Sequence, residues 1–220
     1  MVDEYLSERE QADQLRQWLR ENWLWLVAGV VLGLGSVFGY RWWNAHQTAR
    51  SQEAEQQFSA MLDALGRNQR EEGLQIASKI TGEYTDTPYA DQTLLVLARL
   101  DIESGDLEAA AATLKEVMDS TRDPELALVA RLRLARVQLA KGSYDEALAT
   151  LAAVENPAVA ARVAELRGDV MMARGQSADA LVAYREAQSA AEEGKTADGL
   201  VDQELLRLKI DELSATTAAE

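Results

Sequence analysis

The segment Leu134–Leu151, LARVQLAKGSYDEALATL, decides the fold, because a similar pattern occurs at two other places in the chain. Leu97–Leu114 reads LARLDIESGDLEAAAATL and Arg167–Tyr184 reads RGDVMMARGQSADALVAY, and all three align without gaps on a central glycine. These glycines are separated by 37 and 33 residues; they are Gly105, Gly142 and Gly175. A helix–glycine turn–helix unit with a period of about 34 residues predicts an all-α, tetratricopeptide-like solenoid of stacked helix pairs.

The residues around each glycine indicate how the helix pairs pack. Seven positions before the glycine, each segment has a small residue. Five positions after the glycine it has an alanine, and nine positions after the glycine it has a large residue. In chain order these three sets are Ala98, Ala135 and Gly168, then Ala110, Ala147 and Ala180, then Leu114, Leu151 and Tyr184. Small residues let paired helices approach closely, and the large residue fills the space between neighbouring pairs. The turn glycine is expected in the left-handed conformation that ends a helix.

The pattern extends in both directions and gives a predicted repeat domain of residues 44–213. Gln47–Leu65 and Glu71–Thr81 resemble a weaker first helix pair. Ala197–Leu213 is predicted to form an amphipathic final helix, because a solenoid needs a cap on its last open face. Pro88, Pro124 and Pro157 are expected at the starts of new pairs. The last residues, 214–220, are predicted to be disordered.

An uncharged run of 18 residues, WLWLVAGVVLGLGSVFGY, extends from Trp23 to Tyr40. As a helix it would be roughly 27 Å long, close to the roughly 30 Å hydrocarbon core of a bilayer. Aromatic residues flank both of its ends, as they do at membrane interfaces. A cleaved signal peptide would begin with basic residues and end at small ones, whereas this chain begins acidic and the run ends in Tyr-Arg-Trp-Trp. The sequence therefore predicts a transmembrane helix over residues 23–43, preceded by a short N-terminus of residues 1–22.

Small residues within this run lie at helical spacing. Gly29 and Gly33 share one face of the helix, and Gly35 and Gly39 share a second face about 120° away. Small residues allow another membrane helix to approach closely, and two such faces favour packing against several partner helices over a simple dimer. The alternative interpretation is that glycine is simply common in membrane helices.

Charge restricts both the partners and the orientation of the chain. The 37 acidic and 22 basic residues give a formal charge of −15, which opposes binding to nucleic acid. There is no cysteine, so disulfides and thiolate sites are excluded. Three arginines precede the apolar run, and Arg41 and Arg50 follow it closely, so the positive-inside rule favours a cytoplasmic N-terminus by a small difference.

No sequence motif for catalysis, a metal or a cofactor is present, so an enzyme is not expected. The single histidine, His46, follows the aromatic belt, where a polar ring at the headgroup level is its ordinary role. Protein binding remains, and the first helix of each pair is expected to line a concave groove. The predicted groove residues are Leu95, Arg99, Ile102, Leu132, Arg136, Leu139, Glu165, Asp169 and Met172. The alternative is that part of this set belongs to the core between repeats.

The run GVVLGLGSVFGYRWWN, together with LRLARVQLAKGSYDEAL and AELRGDVMMARGQSADAL, resembles the YfgM family of ancillary Sec translocon subunits. The resemblance implies a bacterial inner-membrane protein with a cytoplasmic N-terminus and a periplasmic repeat domain. It also implies association with SecYEG and with the membrane-anchored periplasmic chaperone PpiD, in a role assisting newly translocated proteins. A membrane-tethered regulator that sequesters a stress-response signalling protein is the alternative hypothesis, and the side of the membrane that holds the repeat domain separates the two.

Overall fold

The computed structural model describes residues 8–193 and 201–217, and within these ranges all regular structure is helical. The chain divides into two compact units, Met1–Glu53 and Ala54–Glu220. The first helix, α1 (Glu8–Gly66), contributes to both. The predicted all-α, tetratricopeptide-like architecture is confirmed.

In the first unit, α1 carries the apolar run, and none of its most apolar 18-residue window is buried within the protein. By length and composition this helix can cross a bilayer. Polar side chains in and beside the run bond within their own helix, since Ser36 Oγ donates to the Leu32 carbonyl at 2.7 Å and Thr48 Oγ1 to the Asn44 carbonyl at 2.8 Å. Such internal bonds satisfy polar groups that lipid cannot.

In the second unit, the end of α1 pairs with α2, and three further pairs and a final helix follow. Their bounds are α2 (Arg70–Glu83), α3 (Pro88–Ser104), α4 (Leu107–Ser120), α5 (Pro124–Ala140), α6 (Tyr144–Ala152), α7 (Ala160–Ala173), α8 (Ser177–Glu192) and α9 (Gln203–Thr217). Residues 197–200 of the predicted final helix lie outside the described residues. Helix α9 also includes Ser214–Thr217, which the sequence assigned to a disordered tail, and residues 218–220 are again outside the described part.

Two of the three prolines open helices as expected. Pro88 and Pro124 stand at the first position of α3 and α5, where a missing N–H has no consequence. Pro157 instead begins a single 3₁₀ turn, Pro157–Val159, and α7 starts after it at Ala160. The Asp123 carboxylate caps α5 by accepting from the Glu125 N–H at 2.8 Å.

The turn glycines have the predicted left-handed conformation, with φ of +83° at Gly105, +77° at Gly142 and +78° at Gly175. At each turn the next residue donates its N–H to a carbonyl five residues back, as Asp106 does to Asp101 at 2.9 Å. This arrangement satisfies carbonyls at the helix end.

The first pair uses the same turn with a different residue. Asn68 has φ of +59°, and the N–H of Gln69 donates to the Ala64 carbonyl at 2.9 Å, which repeats the pattern of the glycine turns. Asn68 also precedes Gly105 by 37 residues, the same interval that separates Gly105 from Gly142. Asparagine is the side chain that best tolerates this conformation after glycine.

The Asn68 turn shows that the size pattern is reversed in the first pair. Seven residues before the turn, the large Met61 is fully buried, and nine after it stands the small Ala77. Both belong to one core cluster with Ile80. In the last pair the small residue, Gly168, precedes the turn and the large residue, Tyr184, follows it. A Cβ on Gly168 would lie 2.5 Å from Cδ1 of Tyr184, so the tyrosine fills the space that the glycine leaves. The two positions therefore compensate one another in volume.

Candidate protein-binding groove

The predicted groove residues occupy equivalent positions on the first helices of three pairs. They lie ten, six and three residues before the turn glycine on α3, α5 and α7. The Asn68 turn adds Phe58, Leu62 and Leu65 at the same positions on α1, which the sequence did not indicate. Leu62 is 42% exposed, so this column includes accessible apolar surface.

Between α3 and α5 the structure forms an open cavity of about 370 Å³, which we call the arginine pocket. It brings together four predicted groove residues: Leu95, Arg99, Ile102 and Arg136. Six further residues complete its lining: Ala98, Leu107, Leu114, Arg133, Val137 and Ala140. Arg133 could have been found from its place one helical turn before the predicted Arg136 on the same helix.

Two other predicted residues, Leu132 and Leu139, lie outside the arginine pocket. Leu132 is half-buried against the core cluster of Ala135, Leu151, Val159, Val163 and Leu166, as expected for a residue between repeats. Leu139 is also half-buried, and neither leucine lines the arginine pocket. Here the inter-repeat core explains the apolar pattern better than an open groove does.

On α7 the predicted groove residues are occupied by contacts with α9. Glu165 is 3% exposed and pairs with Arg162 and with Lys209, whose Nζ lies 3.1 Å from Glu165 Oε1. The same Lys209 Nζ donates to Asp169 Oδ1 at 2.7 Å, and the Tyr184 hydroxyl donates to that oxygen at 2.8 Å. The carboxylates of Glu165 and Asp169 therefore already have partners within the protein, whereas Met172 on the same helix is 39% exposed.

These contacts between α7, α8 and α9, which we call the Lys209 cluster, shift two pKa values in the same direction. Burial, the hydrogen bond to Asp169 and the nearby carboxylates raise the pKa of Tyr184 above its usual value. Burial alone would lower the pKa of Lys209, but the bonds and charges of Asp169 and Glu165 outweigh it and raise that pKa. The sequence missed this cluster because α9 has no turn glycine to align it with the repeats.

The described residues offer no grouping of histidine and acidic side chains able to hold a metal ion. Asp101, the other acid that the sequence placed on a first helix, has its pKa raised by burial and by Asp106, against a lowering by Arg70. It has no partner in an acid–base couple among the hydrogen bonds of the described residues.

Comparison with known proteins shows to which family the chain belongs. A model described as a tetratricopeptide repeat-like domain matches residues 16–215. A curated relative from Escherichia coli strain K12, named ancillary SecYEG translocon subunit, is 32% identical over 96% of this chain and 98% of its own length. A relative of the same name from Haemophilus influenzae is 28% identical over 94% of this chain and 98% of its own length.

Solved structures show the same fold at lower identity. A chain titled MamA 41-end from Desulfovibrio magneticus RS-1 superposes with a TM-score of 0.52 at 16% identity, covering 76% of this chain and 96% of its own. A MamA RS-1 double mutant gives a TM-score of 0.51 at 21% identity, covering 76% of this chain and 97% of its own. We conclude from the repeat geometry, and from relatives that match over nearly their whole length, that the chain belongs to the tetratricopeptide repeat-like family of ancillary SecYEG translocon subunits.

Proposed function

We propose that this protein is a non-enzymatic, membrane-anchored scaffold and chaperone subunit of the Sec translocon that assists newly translocated proteins. The observation that carries the proposal is the 32% identity to a translocon subunit along nearly the whole of both chains. The matched length includes both the apolar helix and the repeats, and the proposed role requires both a membrane anchor and a binding domain. Two features of the structure support this role: an apolar helix able to cross a bilayer, and a stack of helix pairs with an open cavity between α3 and α5.

The proposed partners are SecYEG, the membrane-anchored periplasmic chaperone PpiD and membrane lipid around α1. The name of the curated relatives supports SecYEG, and the family resemblance of the sequence supports PpiD. In this arrangement α1 packs against partner helices through the faces of Gly29 with Gly33 and of Gly35 with Gly39. A Cβ added to any of these four glycines meets nothing within 4 Å, so they are available for such packing.

Affinity purification tests the association directly. The full chain with a C-terminal tag, extracted in mild detergent, is expected to recover translocon subunits and PpiD, and an unrelated tagged single-pass protein is not. Repeated failure to recover both would refute the proposal. Gly29→Leu with Gly33→Leu, and separately Gly35→Leu with Gly39→Leu, should weaken recovery if α1 packs through these faces.

Topology separates this role from the alternative regulator. The proposal requires residues 1–22 in the cytoplasm and the repeat domain in the periplasm. Alkaline phosphatase fused to the C-terminus should therefore be active, and a fluorescent protein that folds only in the cytoplasm should be dark at the same site. The opposite pair of results would favour a tethered regulator of a cytoplasmic signalling protein.

A further inference from the structure

The arginine pocket concentrates positive charge in an acidic protein. Arg99, Arg133 and Arg136 line it, and none of its ten lining residues is acidic. The whole chain carries a formal charge of −15. Because three arginines line one cavity, an anionic group placed there is stabilised by their positive charge.

Within the described part of the chain, two of the three arginines of the pocket have no ion-pair partner, and the third has one exposed partner. Neither Arg133 nor Arg136 has an ion-pair partner within 4.0 Å among the residues that the structure describes. Arg99 pairs only through Nε with Glu103 Oε1, at 3.2 Å, and both side chains are more than half exposed. Such an exposed pair contributes little and is readily exchanged for another carboxylate. The planar forks of these arginines are thus available for two-point carboxylate contacts.

The floor of the pocket is apolar. Leu114 and Ala98 are almost fully buried at its base, while Ile102 is 39% exposed at its edge. An apolar side chain of a ligand would instead gain burial against the exposed part of Ile102 and the half-buried Leu107. A purely polar anion would leave this accessible apolar surface in contact with water, so it is a less suitable occupant.

The neighbouring pairs limit the extent of the site. At the position equivalent to Arg99 and Arg136, the last pair carries Asp169, which the Lys209 cluster already occupies. In the first pair the equivalent residue is the exposed Leu62, so the column is apolar on that side. The cationic stretch therefore covers the α3 and α5 pairs alone, a length suited to a short peptide segment.

We propose that the arginine pocket binds a short segment of a partner protein in which carboxylate side chains flank an apolar residue. The carboxylates pair with Arg99, Arg133 and Arg136, and the apolar side chain enters between α3 and α5. This inference rests on the proposed scaffold function and specifies the chemistry of the segment that the scaffold recognises. An anionic lipid surface fits less well, because the acidic chain as a whole repels it.

Selection from a random 12-residue peptide library, displayed on phage, tests the specificity with the full chain in nanodiscs of neutral phosphatidylcholine. Enriched peptides should combine Asp or Glu with Leu, Ile or Phe. The enriched peptide is then synthesised with a fluorescent label and in a version with Gln and Asn in place of its acids. The acidic peptide should bind at least about tenfold more tightly, and more weakly as salt rises. Enrichment of basic or uncharged peptides, or no enrichment, would overturn the proposal.

Variants locate the site. Arg133→Glu and Arg136→Glu should each weaken binding of the acidic peptide about tenfold or more. Arg136→Lys keeps the positive charge but loses the planar fork, so it should weaken binding less than Arg136→Glu does and still measurably. Lys115→Glu is the matched control: it makes the same charge change at an exposed residue of α4 outside the pocket, and binding should be unchanged. An equal loss of peptide binding in Lys115→Glu would mean that binding depends only on the net charge of the protein. That result would contradict binding at the arginine pocket.

Two further arms make the outcome decisive. If inorganic phosphate or short-chain phosphatidylglycerol displaces the peptide as well as its own unlabelled copy does, the site is a general anion site and the proposal fails. The peptide assay contains no translocon, so its failure is distinguishable from failed co-purification. A chain that recovers SecYEG but binds no acidic peptide retains the proposed function and loses this inference.

Discussion

At Gly168 the fold depends on a single absent methyl group, because a Cβ there would lie 2.5 Å from Cδ1 of Tyr184. Gly168→Ala should force the tyrosine ring to move and destabilise the protein by about 1–3 kcal/mol. Gly82→Ala is the control, since Gly82 is helical and a Cβ on it meets nothing within 4 Å. That change should be neutral or stabilising by up to about 1 kcal/mol. Equal destabilisation by the two changes would contradict the close approach.

These free energies should be measured by urea unfolding of the full chain in detergent micelles. Far-UV circular dichroism is the suitable signal, because all five tryptophans precede residue 44 and report on α1 rather than on the repeats.

The left-handed turn at Gly142, with φ of +77°, gives a second prediction at this scale. Gly142→Ala should cost about 1–2 kcal/mol, although there is open space around the residue, because the cost is in the backbone. Gly142→Asn should cost less, since Asn68 has the same conformation in the first turn. Urea midpoints of the two variants decide the order, and an alanine variant as stable as the asparagine variant would refute the explanation.

Which residues form the turns and the close helix contacts could be predicted wherever glycine or alanine marked them. The first turn could not be aligned in this way, because Asn68 replaces the glycine and because Met61 and Ala77 exchange the usual large and small positions. Because the large and small residues exchange places, the packing of the first pair is preserved, but its sequence no longer resembles that of the other pairs. A search for the asparagine at the 37-residue interval would have aligned the first pair, which the sequence located, with the other three.

Among the elements, α9 covers the open end of the stack. Its Leu206 is 1% exposed and belongs to the core cluster that contains Leu181 and Tyr184 of α8. Leu206→Ala should therefore destabilise the protein by about 2–5 kcal/mol. Leu208→Ala on the same helix removes a side chain that is 60% exposed and should change the stability by less than about 0.5 kcal/mol. Similar urea midpoints for both variants would indicate that α9 does not dock as described.

The Lys209 cluster makes the docking of α9 dependent on pH. The pKa of Lys209 is raised above its usual 10.5, so its contribution to stability is complete below that pH and is lost as the pH rises through the folded value. The raised pKa of Tyr184 acts in the same direction above its usual 10.0. The stability difference between wild type and Lys209→Met should accordingly be largest near pH 8 and smaller at pH 11.5. Lys115→Met, on the exposed face of α4, should show no such change between the two pH values.

The elements also show where sequence patterns end. Helical periodicity and turn glycines predicted α3 to α8, but the residues that face α9 were assigned to a groove. Glu165 and Asp169 share the positions of groove residues, but both pair with the Lys209 side chain of α9, 44 and 40 residues away in sequence. A contact over that distance leaves no periodic signal in a single sequence.

For the whole molecule, the apolar run of α1 predicts firm membrane association. The full chain should remain in the membrane pellet after extraction with alkaline carbonate. Leu32→Asp combined with Leu34→Asp places two acids near the centre of the run, at about 2.5–3.5 kcal/mol each by insertion scales, and should release much of the chain. Val182→Asp, at an exposed position of α8, should leave it in the pellet. Release of the wild-type chain would contradict a transmembrane helix.

Across the molecule, composition and periodicity were enough to predict an all-α solenoid behind one apolar helix. The arginine pocket was predicted only in part, because Arg99 and Arg136 follow from the repeat frame whereas Arg133 enters from the adjacent turn of α5. The pocket has an excess of positive charge because no acidic residue of the described chain lines it. Which acids lie away from the pocket depends on the folded structure and cannot be read from the sequence.

The reversed size pattern of the first pair has a consequence for folding. In a chain of similar repeats, a helix can associate with the wrong partner before the native stack forms. If α1 paired with α8, Met61 and Tyr184 would compete for one space, and if α7 paired with α2, Gly168 and Ala77 would leave a void. Mispaired intermediates of either kind are penalised by overpacking or by a cavity. The inversion thus disfavours wrong helix partners, and exchange of a single helix between the first and last pairs, such as α2 for α8, should cause misassembly.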